Sequence, residues 1–312
     1  MAWTPNLIIP GVAKCGTTTI YDLLVAHPRV TGGMEKEVRF LMDPHDPLCP
    51  AVNVGASGLE GWASQYADGG TGDFDIWVDA SPQYQYQDLA LPTLATLDPQ
   101  PKVLIIVRSP ARRLYSLYQY ARYHQRAVPG VESFAEFIDQ IRPPVAPAIA
   151  PKRMLANAWE DSKYDLFLER WSAVFRAENL FVTSVEDMAA DRSAVLTAIA
   201  AWLGIDAAGL IAAQVDKSNA SVVTRNRALW KVGGRLAKKL PDNALLRSVK
   251  GAVKWLNSAP IDREEISANS ELLVQLEAEF APHMAQLEKL KRELGLFRLE
   301  QAPAVEVAGS KA

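Results

Sequence analysis

Short apolar runs recur along the chain, and most of them are followed by a segment with helical periodicity. The runs are rich in branched residues and leucine, which predicts buried strands. They cover residues 6–12, 76–78, 102–108 and 180–183. Apolar residues at helical spacing predict helices over 17–26, 109–123, a stretch through Leu168 and Trp171, 193–203 and 270–294. This alternation predicts an α/β fold, with a central parallel β-sheet flanked by helices on both faces.

The segments between these elements suggest a single domain. Residues 43–75 are rich in Pro, Gly and Asp and predict a long connection with one short helix near Trp62. A proline-rich connector follows at Pro143–Pro151, and residues 217–262 are basic and weakly patterned. We expect one domain over residues 1–301 and a disordered tail over 302–312.

Composition narrows the classes of function. The chain has 312 residues, of which 49% are hydrophobic, and its net charge is −3. A nucleic-acid partner is not expected, because such proteins need a basic surplus. The start of the chain lacks the pattern of a secretion signal, and the strongest apolar run, Val103–Val107, is too short to span a membrane. Only two cysteines occur, Cys15 and Cys49, so we expect a reducing, cytoplasmic location.

A glycine-bearing turn joins the first predicted strand to the first helix. Residues 11–18 (GVAKCGTT) have the glycine spacing of a P-loop, which makes the domain P-loop-like, but Thr17 stands where nucleotide kinases have lysine. The lysine lies inside the loop, at Lys14. Backbone N–H groups and the helix N-terminus at such a turn bind anions, and the shifted lysine suits a donor without a γ-phosphate. The alternative is a simple turn with an incidental lysine, in which Cys15 is a packed residue.

The sequence Lys14-Cys15-Gly16-Thr17-Thr18 resembles the Lys-x-Gly-Thr-Thr loop of sulfotransferases that use 3′-phosphoadenosine 5′-phosphosulfate (PAPS). Residues 107–116 (VRSPARRLYS) are similar to the second signature of that family, an Arg at a strand end and a Ser eight residues later. The resemblance extends over residues 6–298 and implies that PAPS is the donor, that 3′-phosphoadenosine 5′-phosphate (PAP) is the product and that no metal is needed. The donor-binding residues that it implies are Lys14, Cys15, Gly16, Thr17, Thr18, Thr19, Arg108 and Ser116.

Residues 34–40 (MEKEVRF) resemble the Lys-Glu-x-x-Phe segment of the heparan sulfate and carbohydrate branch of this family. The resemblance implies that Glu37 is the catalytic base, with Lys36 and Lys14 stabilising the developing negative charge. Glu35 is the alternative base. A solvated charged stretch without a catalytic role is the other interpretation.

Two further segments are candidates for binding. Residues 79–84 (DASPQY) resemble the acidic-x-Ser-x-x-Tyr stretch of the family, which implies that Asp79 and Tyr84 contact the acceptor. A strand-end turn with a capping serine explains the same residues equally well. Residues 217–227 lie where the family has a basic loop over the nucleotide, although its Lys-Gly-Arg pattern is missing. Asn219 and Arg225 are the expected contacts there.

The sequence therefore predicts transfer of a sulfuryl group from PAPS to a hydroxyl or amino group of an acceptor by in-line displacement. The acceptor is a carbohydrate or a small natural product, and neither O- nor N-sulfation is favoured. The alternatives are a P-loop kinase or NTPase with a displaced lysine, for which Ile76–Asp79 is a poor Walker-B candidate, and a non-catalytic nucleotide-binding protein. The sequence does not indicate an oligomeric state.

Overall fold

The centre of the protein is a five-stranded sheet in which every paired strand is parallel to its neighbour. A computed structural model describes residues 2–125, 127–128, 130–213, 222–224, 258–260 and 268–301. The strands are β1 (Leu7–Gly11), β2 (Val30–Gly32), β3 (Ile76–Asp79), β4 (Lys102–Val107) and β5 (Leu180–Ser184). Their order across the sheet is β2-β3-β1-β4-β5. This arrangement confirms the predicted α/β fold.

Apolar content explains why the central strands form where they do. Every residue of β1 is buried, and β4 is buried from Val103 to Val107, as expected for strands covered on both faces. The sequence pattern missed β2, because a run of three residues, Val-Thr-Gly, is too short to show a period. A separate antiparallel pair, β6 (Val222–Thr224) and β7 (Ser258–Pro260), lies within the basic region.

Helices follow the strands in the predicted alternation. The α-helices are α1 (Thr17–Val25), α2 (Val54–Ser57), α3 (Ala90–Ala95), α4 (Pro110–Gln119), α5 (Phe134–Ile141), α6 (Arg153–Ala156), α7 (Tyr164–Ser172), α8 (Val185–Ala190), α9 (Arg192–Leu203), α10 (Ala207–Ala212) and α11 (Ser270–Glu293). Short 3-10 helices cover Leu59–Gln65, Pro82–Tyr86, Glu160–Ser162, Ala177–Asn179 and Leu299–Gln301. The predicted helix to residue 123 is realised as α4 followed by a π-helical segment, Tyr120–Gln125.

Two apolar clusters hold these elements together. The larger one contains the strands of the sheet together with α1, α7 and α9. The smaller one joins α4 to α5 and to Leu276 and Phe280 of α11. Helix α11 also packs on α7, so α4 is fixed between the sheet and the last helix. The apolar face that was predicted for residues 270–294 is buried in this way.

The sheet order brings three strand ends together. Strands β3, β1 and β4 are adjacent, and their carboxyl ends lie at one edge because the strands are parallel. The backbone N–H of Val12, just after β1, donates to the carbonyl oxygen of Ile106 in β4 at 2.9 Å. The segments that follow these three strands are therefore neighbours, which is where open α/β sheets bind ligands.

Candidate active site

The turn after β1 presents backbone N–H groups at the start of α1. Lys14 and Gly16 both have left-handed backbone conformations, with φ of 72° and 80°, and Gly16 is the N-cap of the helix. No side chain caps this end, and the first N–H groups of a helix have no intrahelical acceptor. Gly16 is exposed, so the helix end is open. These features are typical of helix N-termini that bind anions.

The threonines and the cysteine of this turn differ in their surroundings. Thr17 is buried, whereas Thr18 and Thr19 are partly exposed in the first turn of α1. Cys15 is buried, and its Sγ lies 3.7 Å from the hydroxyl oxygen of Tyr164. Its N–H donates to the carbonyl oxygen of Val12 at 3.1 Å. Both groups of Cys15 thus have partners within the protein, and burial raises the pKa of its thiol to about 11. The contact of Cys15 with the donor stays a prediction.

Lys14 lies close to the other charged residues predicted for the site. Its Nζ is 4.1 Å from the centre of the Tyr120 ring. Burial and the positive charge of Arg108 lower the pKa of Lys14 to about 8, while the negative charge of Glu37 opposes the shift. These interactions require the three charges to be near one another. The fold therefore brings together Lys14, Arg108 and Glu37 from three separate segments of the chain.

One face of the α4 segment is directed at the loop. The Nε of Arg113 donates to the carbonyl oxygen of Ala13 at 3.0 Å, and the Tyr120 ring contacts Lys14. Ser116 lies between these two positions on the same helical stripe, three residues after Arg113 and four before Tyr120. It is buried, and the stripe that it shares with Arg113 and Tyr120 faces the phosphate loop.

Glu37 is held by three side chains. The Nε2 of Gln83 donates to Oε2 of Glu37 at 2.7 Å, and an Nη of Arg39 lies 3.3 Å from the same oxygen. Lys36 Nζ is 3.7 Å from the other oxygen, Oε1. Burial lowers the pKa of Lys36. Glu35, by contrast, is exposed, so the geometry favours Glu37 as the acid of this site.

Several buried polar atoms of this site have no hydrogen-bond partner among the described residues. They are Lys36 Nζ, Arg39 Nε, Gln83 Oε1 and Arg108 Nε. Buried polar groups are almost always paired in folded proteins, so such atoms commonly mark the place of a ligand or water. Three of the four belong to cations, which matches an anionic ligand that carries phosphate or sulfate oxygens.

Asp79 and Tyr84 do not reach the surface. Both are fully buried, and the Tyr84 hydroxyl donates to Oδ2 of Asp79 at 2.7 Å. Ser81 donates to the other oxygen of Asp79 and accepts the N–H of Arg39 at 2.8 Å. Tyr84 accepts the N–H of Leu41. The two residues support the backbone that follows Glu37, and their contact with the acceptor stays a prediction.

Two predicted contacts, Asn219 and Arg225, lie outside the described residues. Three residues of the site were missed, namely Gln83, Arg113 and Tyr120. The signal for Arg113 was available, because a charged residue three positions before Ser116 shares its helical face. No sequence signal marked Gln83, whose partner Glu37 is separated from it by the long connection.

The described part of the chain contains no cluster of His, Cys, Asp or Glu suited to a metal ion. Within the same residues, no helix combines the length and apolar character needed to span a bilayer.

Comparison with known proteins agrees with this geometry. The family model described as "Sulfotransferase domain" matches residues 4–232. Among curated proteins, bifunctional heparan sulfate N-deacetylase/N-sulfotransferase 4 of Mus musculus is 25% identical over 208 residues, which are 64% of this chain and 22% of that protein. The human N-deacetylase/N-sulfotransferase 3 is 26% identical over 207 residues, with the same coverage of both chains. The match thus spans about a fifth of these relatives.

A solved structure has the same fold. The sulfotransferase from Alicyclobacillus acidocaldarius superimposes with a TM-score of 0.61 at 20% identity, covering 95% of this chain and 98% of that one. At this identity the likeness concerns the fold alone. Because the family model covers most of the chain, the chain belongs to the sulfotransferase domain family.

Proposed function

We propose that the chain transfers the sulfuryl group of PAPS to a hydroxyl or amino group of a carbohydrate or small natural product, with Glu37 as the base. The observation that carries the proposal is the proximity of Lys14, Arg108 and Glu37, which follow β1, β4 and β2 at the carboxyl edge of the sheet. A donor anion site, a second cation and a carboxylate are the groups that this reaction needs in one place.

In the proposed complex the 5′-phosphosulfate lies at the N-terminus of α1, near Lys14 and the N–H groups of Gly16 to Thr19. The 3′-phosphate lies between Arg108 and Ser116. The residues fit these groups, because Arg108 Nε is buried without a partner among the described residues and Gly16 leaves the helix end uncovered. The dipole of α4 adds to the second site, since Ser116 and Arg108 flank its first turns.

The proposed transfer is an in-line displacement at sulfur. The acceptor oxygen or nitrogen forms a bond to sulfur as the bond between sulfur and the bridging oxygen breaks, and that oxygen keeps the electron pair as part of PAP. Lys14 stabilises the charge that develops on the bridging oxygen. Glu37 takes the proton that the acceptor loses. Lys36, whose buried ammonium has no hydrogen-bond partner among the described residues, is suited to the sulfuryl oxygens.

The kinase or NTPase alternative is less well supported. Its Mg²⁺ would need an available carboxylate at the end of β3, but both oxygens of Asp79 accept hydrogen bonds, from Ser81, Tyr84 and Trp62. Thr17, in the position of the kinase lysine, is buried. A protein that binds the nucleotide without chemistry remains the second candidate, because the same anion sites would serve it.

The test is an assay with radiolabelled PAPS over a panel of amino sugars, simple glycosides and phenols, alongside PAP binding by calorimetry. Glu37→Gln should bind PAP as the wild type does and lose nearly all turnover, whereas Glu35→Gln should keep it. Binding of PAP without transfer to any acceptor would favour the non-catalytic candidate. Absence of PAP binding would remove the proposal altogether.

A further inference from the structure

Gln83 occupies a position beside the proposed base that the family resemblance does not explain. It lies in the 3-10 helix Pro82–Tyr86, which follows β3, and it is more than nine-tenths buried. Its two amide atoms have different surroundings. The nitrogen donates to Glu37, while the oxygen, Oε1, is buried and has no partner among the described residues.

The orientation of this amide follows from its contact. An amide oxygen placed 2.7 Å from a carboxylate oxygen would repel it, so the atom facing Glu37 must be the nitrogen. A carbonyl oxygen that is buried and unpaired costs about 1–3 kcal/mol. Its natural partner is an N–H or O–H group of a ligand, since no described residue places a donor within hydrogen-bond distance of it.

Gln83 also distinguishes the two oxygens of Glu37. Gln83 and Arg39 both contact Oε2, at 2.7 and 3.3 Å. Among the described residues, the ion pair to Oε1 is with Lys36, at 3.7 Å, which is beyond ordinary hydrogen-bond distance. Oε1 therefore keeps the lone pairs that a base needs, and its position is fixed through the contacts to Oε2.

We propose that Gln83 is a positioning and specificity residue. Its amide nitrogen holds Glu37 by Oε2, so that Oε1 takes the proton. Its carbonyl oxygen accepts a hydrogen bond from a second N–H or O–H group of the acceptor molecule. The inference rests on the proposed function, with Glu37 as base. It specifies the acceptor class: the attacking hydroxyl or amine must be flanked by another hydroxyl or amino group, as in a vicinal diol or amino alcohol. The long side chains of Lys36 and Arg39 provide the freedom for such a group to enter.

The experiment compares acceptors in matched pairs with PAPS as donor. The pairs are trans-2-aminocyclohexanol with cyclohexylamine, trans-cyclohexanediol with cyclohexanol, and methyl glucosaminide with its analogue lacking the hydroxyl next to the amine. The wild type should prefer the first member of a pair by roughly 10- to 100-fold in kcat/KM, which corresponds to one buried oxygen left unpaired. Equal rates for both members would overturn the inference.

Variants separate the two roles of the side chain. Gln83→Met has neither amide atom and should lose both turnover and the preference within each pair. Gln83→Glu keeps an oxygen at the same chain length but puts a second carboxyl group beside Glu37, and a proton shared by the pair occupies the base. Its kcat should therefore fall while the preference persists. A wild-type preference that survives in Gln83→Met would contradict the assignment of Oε1.

Gln87→Met is the matched control. Gln87 lies four residues further on, and both of its amide atoms are paired away from Glu37, accepting from Asp43 N–H at 2.7 Å and donating to Asp46 at 3.0 Å. This variant should lose stability but keep the preference. PAP-induced thermal stabilisation, measured for every variant, reports folding and the donor site. A wild type that binds PAP but sulfates no pair would refute this acceptor class, whereas a wild type without PAP binding would refute the proposed function itself.

Discussion

The guanidinium of Arg113 donates a hydrogen bond of 3.0 Å to the carbonyl oxygen of Ala13, 100 positions earlier in the chain. The same group donates to the carbonyl oxygen of Ala158 at 2.8 Å and to Ser162 Oγ at 2.7 Å. Arg113 is fully buried. Arg113 lies on α4, the helix that also carries Ser116. It therefore ties the phosphate loop to the segment that leads into α7.

The two residues after Ala13 are held from the same side. Lys14 contacts the ring of Tyr120, and Cys15 contacts the hydroxyl of Tyr164. Three successive loop residues are thus fixed by side chains of α4, the π-helical segment and α7. A loop that is fixed before the donor arrives loses less entropy on binding, which favours affinity for the anion.

Replacing Arg113 should weaken both the fold and donor binding. In Arg113→Met the carboxylate of Asp161, 3.8 Å from the guanidinium, loses its charge partner, and such losses cost about 3 kcal/mol or more in buried pairs. Burial already raises the pKa of Asp161 to about 6. Urea unfolding and PAP calorimetry measure the two effects. Arg112→Met, at the exposed neighbouring position, should change neither, and an unaltered PAP affinity in Arg113→Met would refute the tether.

Deprotonation of Lys14 should limit the activity of the enzyme at alkaline pH. Because burial and Arg108 lower its pKa to about 8, the ammonium loses its proton as the pH rises through that value. The charge on the leaving oxygen is then no longer stabilised, so kcat/KM should fall as the pH rises above 8. Lys14→Arg stays protonated at every accessible pH and should remove the limit at a lower overall rate. Persistence of the limit in Lys14→Arg would assign it to another group, such as Lys36.

Ser116 should be specific for the 3′-phosphate. A hydrogen bond to a charged group contributes about 1.5–3 kcal/mol, so Ser116→Ala should weaken PAP binding by roughly 10- to 100-fold. Binding of AMP, which lacks the 3′-phosphate, should be unchanged. Isothermal calorimetry with both nucleotides gives the comparison. Equal losses for PAP and AMP would place Ser116 outside the 3′-phosphate site.

Asp79 should influence stability in a pH-dependent way. Burial raises its pKa to about 6, above the ordinary value near 3.9, so the folded state binds more protons than the unfolded state between these values. The contribution of Asp79 to the free energy of unfolding should therefore fall by about 2 kcal/mol as the pH rises from 4 to 7. The difference between the unfolding curves of the wild type and Asp79→Asn isolates this change. A difference that does not vary with pH would contradict it.

Much of this protein follows from local sequence. The apolar runs of β1 and β4 and the Ser-Pro start of α4 are short-range signals, because strand burial and helix capping act on neighbouring residues. The loop at Lys14 and the spacing from Arg108 to Ser116 are equally local. Because these motifs are local, the sequence alone predicted the class of enzyme.

Tertiary structure determined which residues of these separate segments come together. The order of the strands brings Glu37, Gln83 and Lys14 together across long stretches of chain, and contacts of that range leave no period or motif in the sequence. It also turned Asp79 and Tyr84 inward, since a hydrogen-bonded buried pair and an exposed binding pair have the same residue types. Sequence determined which groups are present, whereas packing determined which of them face one another, because burial and pairing are properties of the assembled core.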